Sequence, residues 1–132
     1  MIYLSDIRDW IREFGIGDNF SVGRINGDED RSVGVYQRGT PARPVRAIGQ
    51  MSSYEIKQVS VLIHWNKNAD ETEKAACELY ERLRAASPCT INGTKIYILQ
   101  LLQSEPVNIS TDDNGVYERV IEFDLYYERN DN

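Results

Sequence analysis

Chemically versatile side chains are scarce in this chain of 132 residues: there is one histidine, His64, and two cysteines, Cys77 and Cys89. A lone histidine excludes a His-rich metal site and any two-histidine zinc arrangement. The cysteines stand outside any CxxC or Cys/His cluster. Both read as reduced small hydrophobes, the usage of a cytosolic protein, and the alternative bridge would tie a helix to the strand after it. No apolar run approaches the roughly 20 residues of a membrane span. Met1-Ile2-Tyr3-Leu4-Ser5-Asp6 has neither a basic region nor a long apolar one, so no cleaved signal peptide is expected. Also missing are GxxxxGK[ST], GxGxxG and GxSxG. Acids are plentiful, but none forms a recognisable acid/base pair. The residues give no reason to expect an enzyme, a cofactor or a metal.

What is present is an ordinary globular mix, 41% hydrophobic and 27% charged, in a length that suits one domain. Fifteen Lys and Arg against 21 Asp and Glu leave a net charge of −6. That charge is unevenly placed. From Glu105 to Asn132 there are eight acids and two bases, so this segment carries the whole excess and residues 1–104 are neutral. From Arg31 to Tyr54 there are four arginines (Arg31, Arg38, Arg43, Arg46) and no acid. An acidic protein is poorly suited to tight nonspecific duplex binding, which needs several phosphates neutralised at once. Patches of opposite sign on one chain suit self-association; the plainer reading is a set of solvated loops and faces.

Hydrophobic spacing gives the elements. Ile7, Trp10, Ile11 and Phe14 share one helical face, with Ser5 as N-cap and Gly15 and Gly17 as the stop. Alternation in Phe20-Ser21-Val22 and Val33-Gly34-Val35, around Asn26-Gly27-Asp28, predicts a β-hairpin with strands near 19–25 and 32–37. Tyr54 to Trp65 reads as a long strand with Val59, Val61, Ile63 and Trp65 on one face. Ile56 is out of phase, which predicts a bulge or a change of buried face near Lys57-Gln58. His64 falls on the second face and reads as structural. Asp70-Glu71-Thr72-Glu73 begins a second helix with a capping-box pattern, whose stripe is Ala76, Leu79, Tyr80 and Leu83 and whose stop is Ser87-Pro88. Cys89-Thr90-Ile91 and Ile96 to Leu102 flank an Asn92-Gly93 turn. After Asp112-Asp113-Asn114-Gly115, a final strand alternates Ile121, Phe123, Leu125 and Tyr127 with Glu122, Asp124, Tyr126 and Glu128. The fold class is α+β: a mostly antiparallel or mixed β-sheet with two helices packed on one face. Trp10, Phe14, Val61, Ile63, Leu79, Leu83, Ile121 and Phe123 are its expected core.

Two features remain as candidate sites. Residues 37–49 hold two prolines, two glycines and three arginines, a connection long enough to be functional or mobile; Arg38, Arg43 and Arg46 there are candidates for contact between subunits or rings. Glu122, Asp124 and Glu128 must project from the side of the sheet opposite the core. That side meets solvent or a neighbouring subunit.

The order of these segments, with Tyr54-Glu55-Ile56-Lys57-Gln58-Val59-Ser60-Val61-Leu62-Ile63, Asn68-Ala69-Asp70-Glu71-Thr72-Glu73, Leu79-Tyr80-Glu81-Arg82-Leu83 and Arg119-Val120-Ile121-Glu122-Phe123-Asp124-Leu125-Tyr126-Tyr127, resembles the tail terminator, or minor capsid protein, family of tailed bacteriophages from about Ile7 to Tyr127. The resemblance implies a single terminator-like domain over 1–132; the mobile loop near 38–49 is read from its prolines, glycines and arginines. The resemblance also implies a hexameric ring that caps the tail tube, stops its polymerisation and helps join tail to head, without catalytic residues or cofactor. A ring would add its lumen as a third setting for Glu122, Asp124 and Glu128, where acids would repel the phosphates of passing DNA. The implied partners are tail tube protein and head or neck connector proteins, with no membrane and with DNA only passing through. The implied location is the virion tail or neck, after assembly in the host cytoplasm. A neck or head-completion (stopper) protein is the nearest rival; a small host binding module or enzyme is the rival from another class.

Overall fold

The computed structural model describes residues 1–41 and 54–129. In chain order the described elements are α1 (Leu4–Arg12), β1 (Asn19–Val22), β2 (Ser32–Gln37), β3 (Tyr54–His64), α2 (Ala69–Arg84), β4 (Cys89–Ile91), β5 (Thr94–Leu101), β6 (Val107–Thr111) and β7 (Tyr117–Glu128). The strands form one sheet in the order β1-β2-β3-β7-β5-β4, and β6 pairs with β7 as well. Among the described residues no helix is long and apolar enough to cross a membrane.

β7 is the hub because its alternation is the longest and cleanest in the chain. It lies antiparallel to β3 over eleven continuous residue pairs, from Tyr54↔Glu128 to His64↔Glu118. On its other side β5 pairs with residues 123–127 and β6 with 117–120. Register puts Val59 opposite Phe123 and Val61 opposite Ile121, and these join Leu125 and Tyr127 on the buried face. Both helices pack there, α1 through Ile7 and Ile11 and α2 through Ala76, Leu79 and Leu83. The architecture is therefore the predicted α+β arrangement with a mixed sheet. Trp10 and Phe14 are not in the buried set. Their rings meet edge to face at 5.0 Å on the rim of the core, because the helix turns Ile7 and Ile11 most directly inward.

The expected hairpin is replaced by a parallel pair. β1 runs alongside β2 in the same direction, Asn19↔Ser32 to Val22↔Val35. A parallel connection usually needs a dozen or more residues; residues 23–31 suffice because both strands are short and the return path lies on the sheet. Ile25 sits over Gly34, where an added Cβ would come within 2.7 Å of Ile25 Cγ1. The path ends at Arg31, whose carbonyl accepts the Asp18 and Asn19 N–H groups at 2.8 and 3.3 Å. The Arg31 N–H donates to the Trp65 carbonyl at 2.7 Å, and its guanidinium lies 4.9 Å from the centre of the Trp65 ring. The turn signal Asn26-Gly27-Asp28 thus belongs to a loop that carries the chain back to its start.

Smaller expectations also shift. β3 has neither a bulge nor a change of buried face: in unbroken register Ile56 lies on the outward side, opposite Tyr126. α1 begins one residue before Ser5, and Asp6 Oδ2 accepts the Tyr3 N–H at 2.9 Å. The cap of α2 is Asn68, not Asp70: its Oδ1 accepts the Glu71 N–H at 3.0 Å, leaving Asp70 and Glu71 in the first turn near the positive end of the helix dipole. Cys77 and Cys89 are both free, but Cys77 is exposed on α2.

Leu83 is fully buried among side chains of the sheet and α2. Truncating it to Ala should cost about 2–5 kcal/mol through lost burial and a residual cavity, read as a lower urea midpoint with an unchanged slope. An unaffected midpoint would contradict the packing of α2 described here.

Candidate functional site: the acidic face of the sheet

On β7 the side chains that point away from the helices are Glu118, Val120, Glu122, Asp124, Tyr126 and Glu128, all half-buried. Their half-burial comes from neighbours on adjacent strands, since register sets Gln58 and Gln100 on either side of Asp124 and Ser60 beside Glu122. Four of these six side chains are carboxylates, so this face is acidic by construction: the inward set of the same strand must be apolar, and the alternation leaves the acids nowhere else to go.

Each acid has a partner inside the chain. The Arg38 N–H continues the β2–β3 ladder onto the Gln58 carbonyl at 3.1 Å. This aims the Arg38 guanidinium at Asp124, with which it forms an ion pair whose side chains are only 24% and 16% exposed. Glu122 Oε1 accepts from Gln103 Nε2 at 3.0 Å. Glu128 Oε2 accepts the Lys95 N–H at 2.9 Å. Of the residues singled out in the sequence, the structure joins Arg38 to Asp124, puts Glu122 on the same stretch of face, and sets Glu128 apart at the end of β7. Arg43 and Arg46, with the loop from 42 onward, lie outside the described residues.

A second cluster on this face has no local signature in the sequence. His64 is 2% exposed; its Nδ1 lies 2.9 Å from Glu118 Oε2 and 3.8 Å from Asp112 Oδ2. Asp112 in turn closes the β6–β7 turn, accepting the Asn114 and Val116 N–H groups, both at 2.9 Å. The turn was legible, but the contact of His64 with Glu118 is set by β3–β7 register, which no local pattern reveals. With its ring enclosed and Nδ1 occupied, His64 is a structural tie between β3 and the end of β6, out of reach of any substrate.

Among the described residues no three His, Cys, Asp or Glu side chains converge to hold a metal ion. Partial burial, reinforced by nearby Glu73, raises the thiol of Cys77, and burial raises that of Cys89; neither is an activated nucleophile. The surface offers charge, apolar side chains and strand edges, which are means of assembly. Compared with known families, residues 6–129 match the model described as bacteriophage tail terminator protein. No curated protein matches the chain.

The Asp112 turn has a definite pH signature. The Val116 amide above all, with those of Asn114 and Gly115 and the neighbouring His64, holds the Asp112 carboxyl below the usual Asp range. A carboxyl lowered in the folded state adds stability that is complete above its unfolded value of about 3.9 and disappears as pH falls through the lower folded value. The stability advantage of wild type over Asp112→Asn should therefore be constant above about pH 5 and shrink on further acidification. Urea midpoints across that range check it; an advantage unchanged in strong acid would contradict it.

Proposed function

The chain belongs to the bacteriophage tail terminator family, and from that premise we propose that it caps the tail tube as a homo-hexameric ring, halts tube polymerisation and helps join the tail to the head. A tail terminator is a structural component of the virion tail that contacts other tail components. The finer reading adds tail tube protein on one side of the ring, head or neck connector proteins on the other, and assembly in the host cytoplasm. It also takes residues 1–132 as one domain and a minor capsid protein without cofactor or catalytic step. The observation that carries the reading is the match over nearly the whole chain, residues 6–129.

The charge distribution fits this role. In our reading Glu122, Asp124 and Glu128 turn their face toward the lumen, where carboxylates repel DNA phosphates and let the genome pass without sticking. Arg38 holds that face together from within through Asp124, and Arg43 and Arg46 reach a neighbouring subunit or ring. A ring contact joins two different surfaces of the same protein, and basic and acidic segments of one chain meet that need.

Purified chain added to polymerising tail tube protein should stop elongation, seen as short, uniform tubes in electron micrographs. Arg43→Ser with Arg46→Ser should leave folding intact and lose this length control, Arg38 being kept because its removal would strand Asp124. Unchanged control by the double variant would remove the arginines from the contact, and tubes that grow unchecked with wild type would contradict capping. Glu122→Lys with Glu128→Lys should assemble normally and slow DNA delivery. Failure of assembly would instead place the face in an interface, and normal delivery would leave it merely solvated.

A further inference from the structure

Exposed strand edges present unpaired N–H and C=O groups, and proteins ordinarily blunt them by keeping them short or bulged, or with lysines, prolines, inward-pointing charges or a covering element. β6 is short, but its five residues carry no lysine, proline or charge, and among the described residues no element covers its free edge. Val107-Asn108-Ile109-Ser110-Thr111 is uncharged, all five residues are exposed, and among the described residues the strand pairs with β7 alone. Val107 and Ile109 leave 40% and 46% of their surface to solvent. One register shift, between Asn108 and Ser110, interrupts the strand without covering either apolar side chain. At the far edge of the same sheet, β1 is also uncharged, pairs among the described residues with β2 alone, and ends on exposed Val22.

We infer that the β6 edge of one copy receives the β1 edge of the next, so that the sheet continues from subunit to subunit. This rests on the ring reading and names its contact. Three observations select a second copy as the occupant. First, the two edges are of matching length, four residues in β1 and five in β6, and they lie on different sides of one sheet, as a head-to-tail contact requires.

Second, strand sense agrees. β6 is antiparallel to β7, β7 to β3 and β3 to β2, while β2 is parallel to β1, so β1 runs opposite to β6 within a chain. Rotation about an axis along the strands preserves that sense, and neighbouring copies meet as an antiparallel pair, the arrangement with the better hydrogen-bond geometry. Third, the flanking charges suit that sense. Antiparallel pairing brings Arg24, exposed and without an acidic partner among the described residues, toward exposed Glu105. At the other end Asp18 and Asp112 approach, but Asp18 is already paired with Arg31 at 2.9 Å and Asp112 is occupied by its own turn and His64. Main-chain hydrogen bonds would supply the attachment, with Val22, Val107 and Ile109 withdrawn from water.

The test compares the mass of the full chain, by light scattering or native mass spectrometry, with that of two edge-blocked variants, alone and with tail tubes. Val107→Lys with Ile109→Lys blocks β6, and Val22→Lys with Arg24→Glu blocks β1. All four side chains are exposed, so circular dichroism and melting should remain close to wild type; Ile109→Lys alone replaces the β6 double variant if that one unfolds. Each blocked variant should be monomeric under conditions where wild type forms its ring. Mixed together they should give a 1:1 dimer and nothing larger, since the pair retains one intact β1 edge and one intact β6 edge. Blocked variants that still form rings, or a mixture that stays monomeric, would overturn the edge contact while leaving the ring reading in place. A wild-type chain that remains monomeric both alone and on tubes would overturn the ring reading and this inference with it.

Discussion

Everything in this molecule hangs on strand β7 keeping its register. Its inward residues Ile121, Phe123 and Leu125 are buried against β3, β5 and both helices, while its outward residues Glu118, Glu122, Asp124 and Glu128 form the acidic face. Because successive side chains alternate, a slip of one residue would put four carboxylates into the core and the apolar set into water. Burial of those apolar side chains is therefore also what fixes the position of every acid. The Arg38–Asp124 pair and the His64–Glu118 contact sit on the same face and fasten β2 and β3 to β7 in that register.

The large features were readable from periodicity alone. Val59, Val61 and Ile63 in β3, the inward set of β7, and the Leu79/Leu83 stripe of α2 all lie where alternation or helical spacing put them. What escaped was non-local. Asn26-Gly27-Asp28 reads as a hairpin turn, yet the chain returns across Gly34 to give parallel strands, a choice decided by Ile25 packing where a side chain is missing. β6 has little signal of its own, being short, neutral and wholly exposed; it is a strand only because β7 offers residues 117–120 for pairing. Both helix caps lie two residues before the expected ones, at Tyr3 and Asn68, because the Asp6 carboxylate and Asn68 reach free N–H groups that Ser5 and Asp70 do not.

The candidate site divides in the same way. That Glu122, Asp124 and Glu128 share a face followed from alternation, but that Arg38 closes on Asp124 from within the same chain depends on β2 ending beside Gln58. The loop beyond it, with Arg43 and Arg46, lies outside the described residues. What the fold offers is a sheet with helices on one side, acids on the other, and, among the described residues, β1 and β6 each paired on one side only.

The central claim is that this chain works as a closed ring of identical subunits at the end of a tail tube. Electron microscopy of tubes capped by the purified chain, averaged along the tube axis without imposed symmetry, tests it most directly. The account predicts six equivalent copies around an open lumen, each touching its neighbours through two different surfaces. A tube end without added density, or a cap built from two-fold dimers joined through one self-complementary surface, would contradict it.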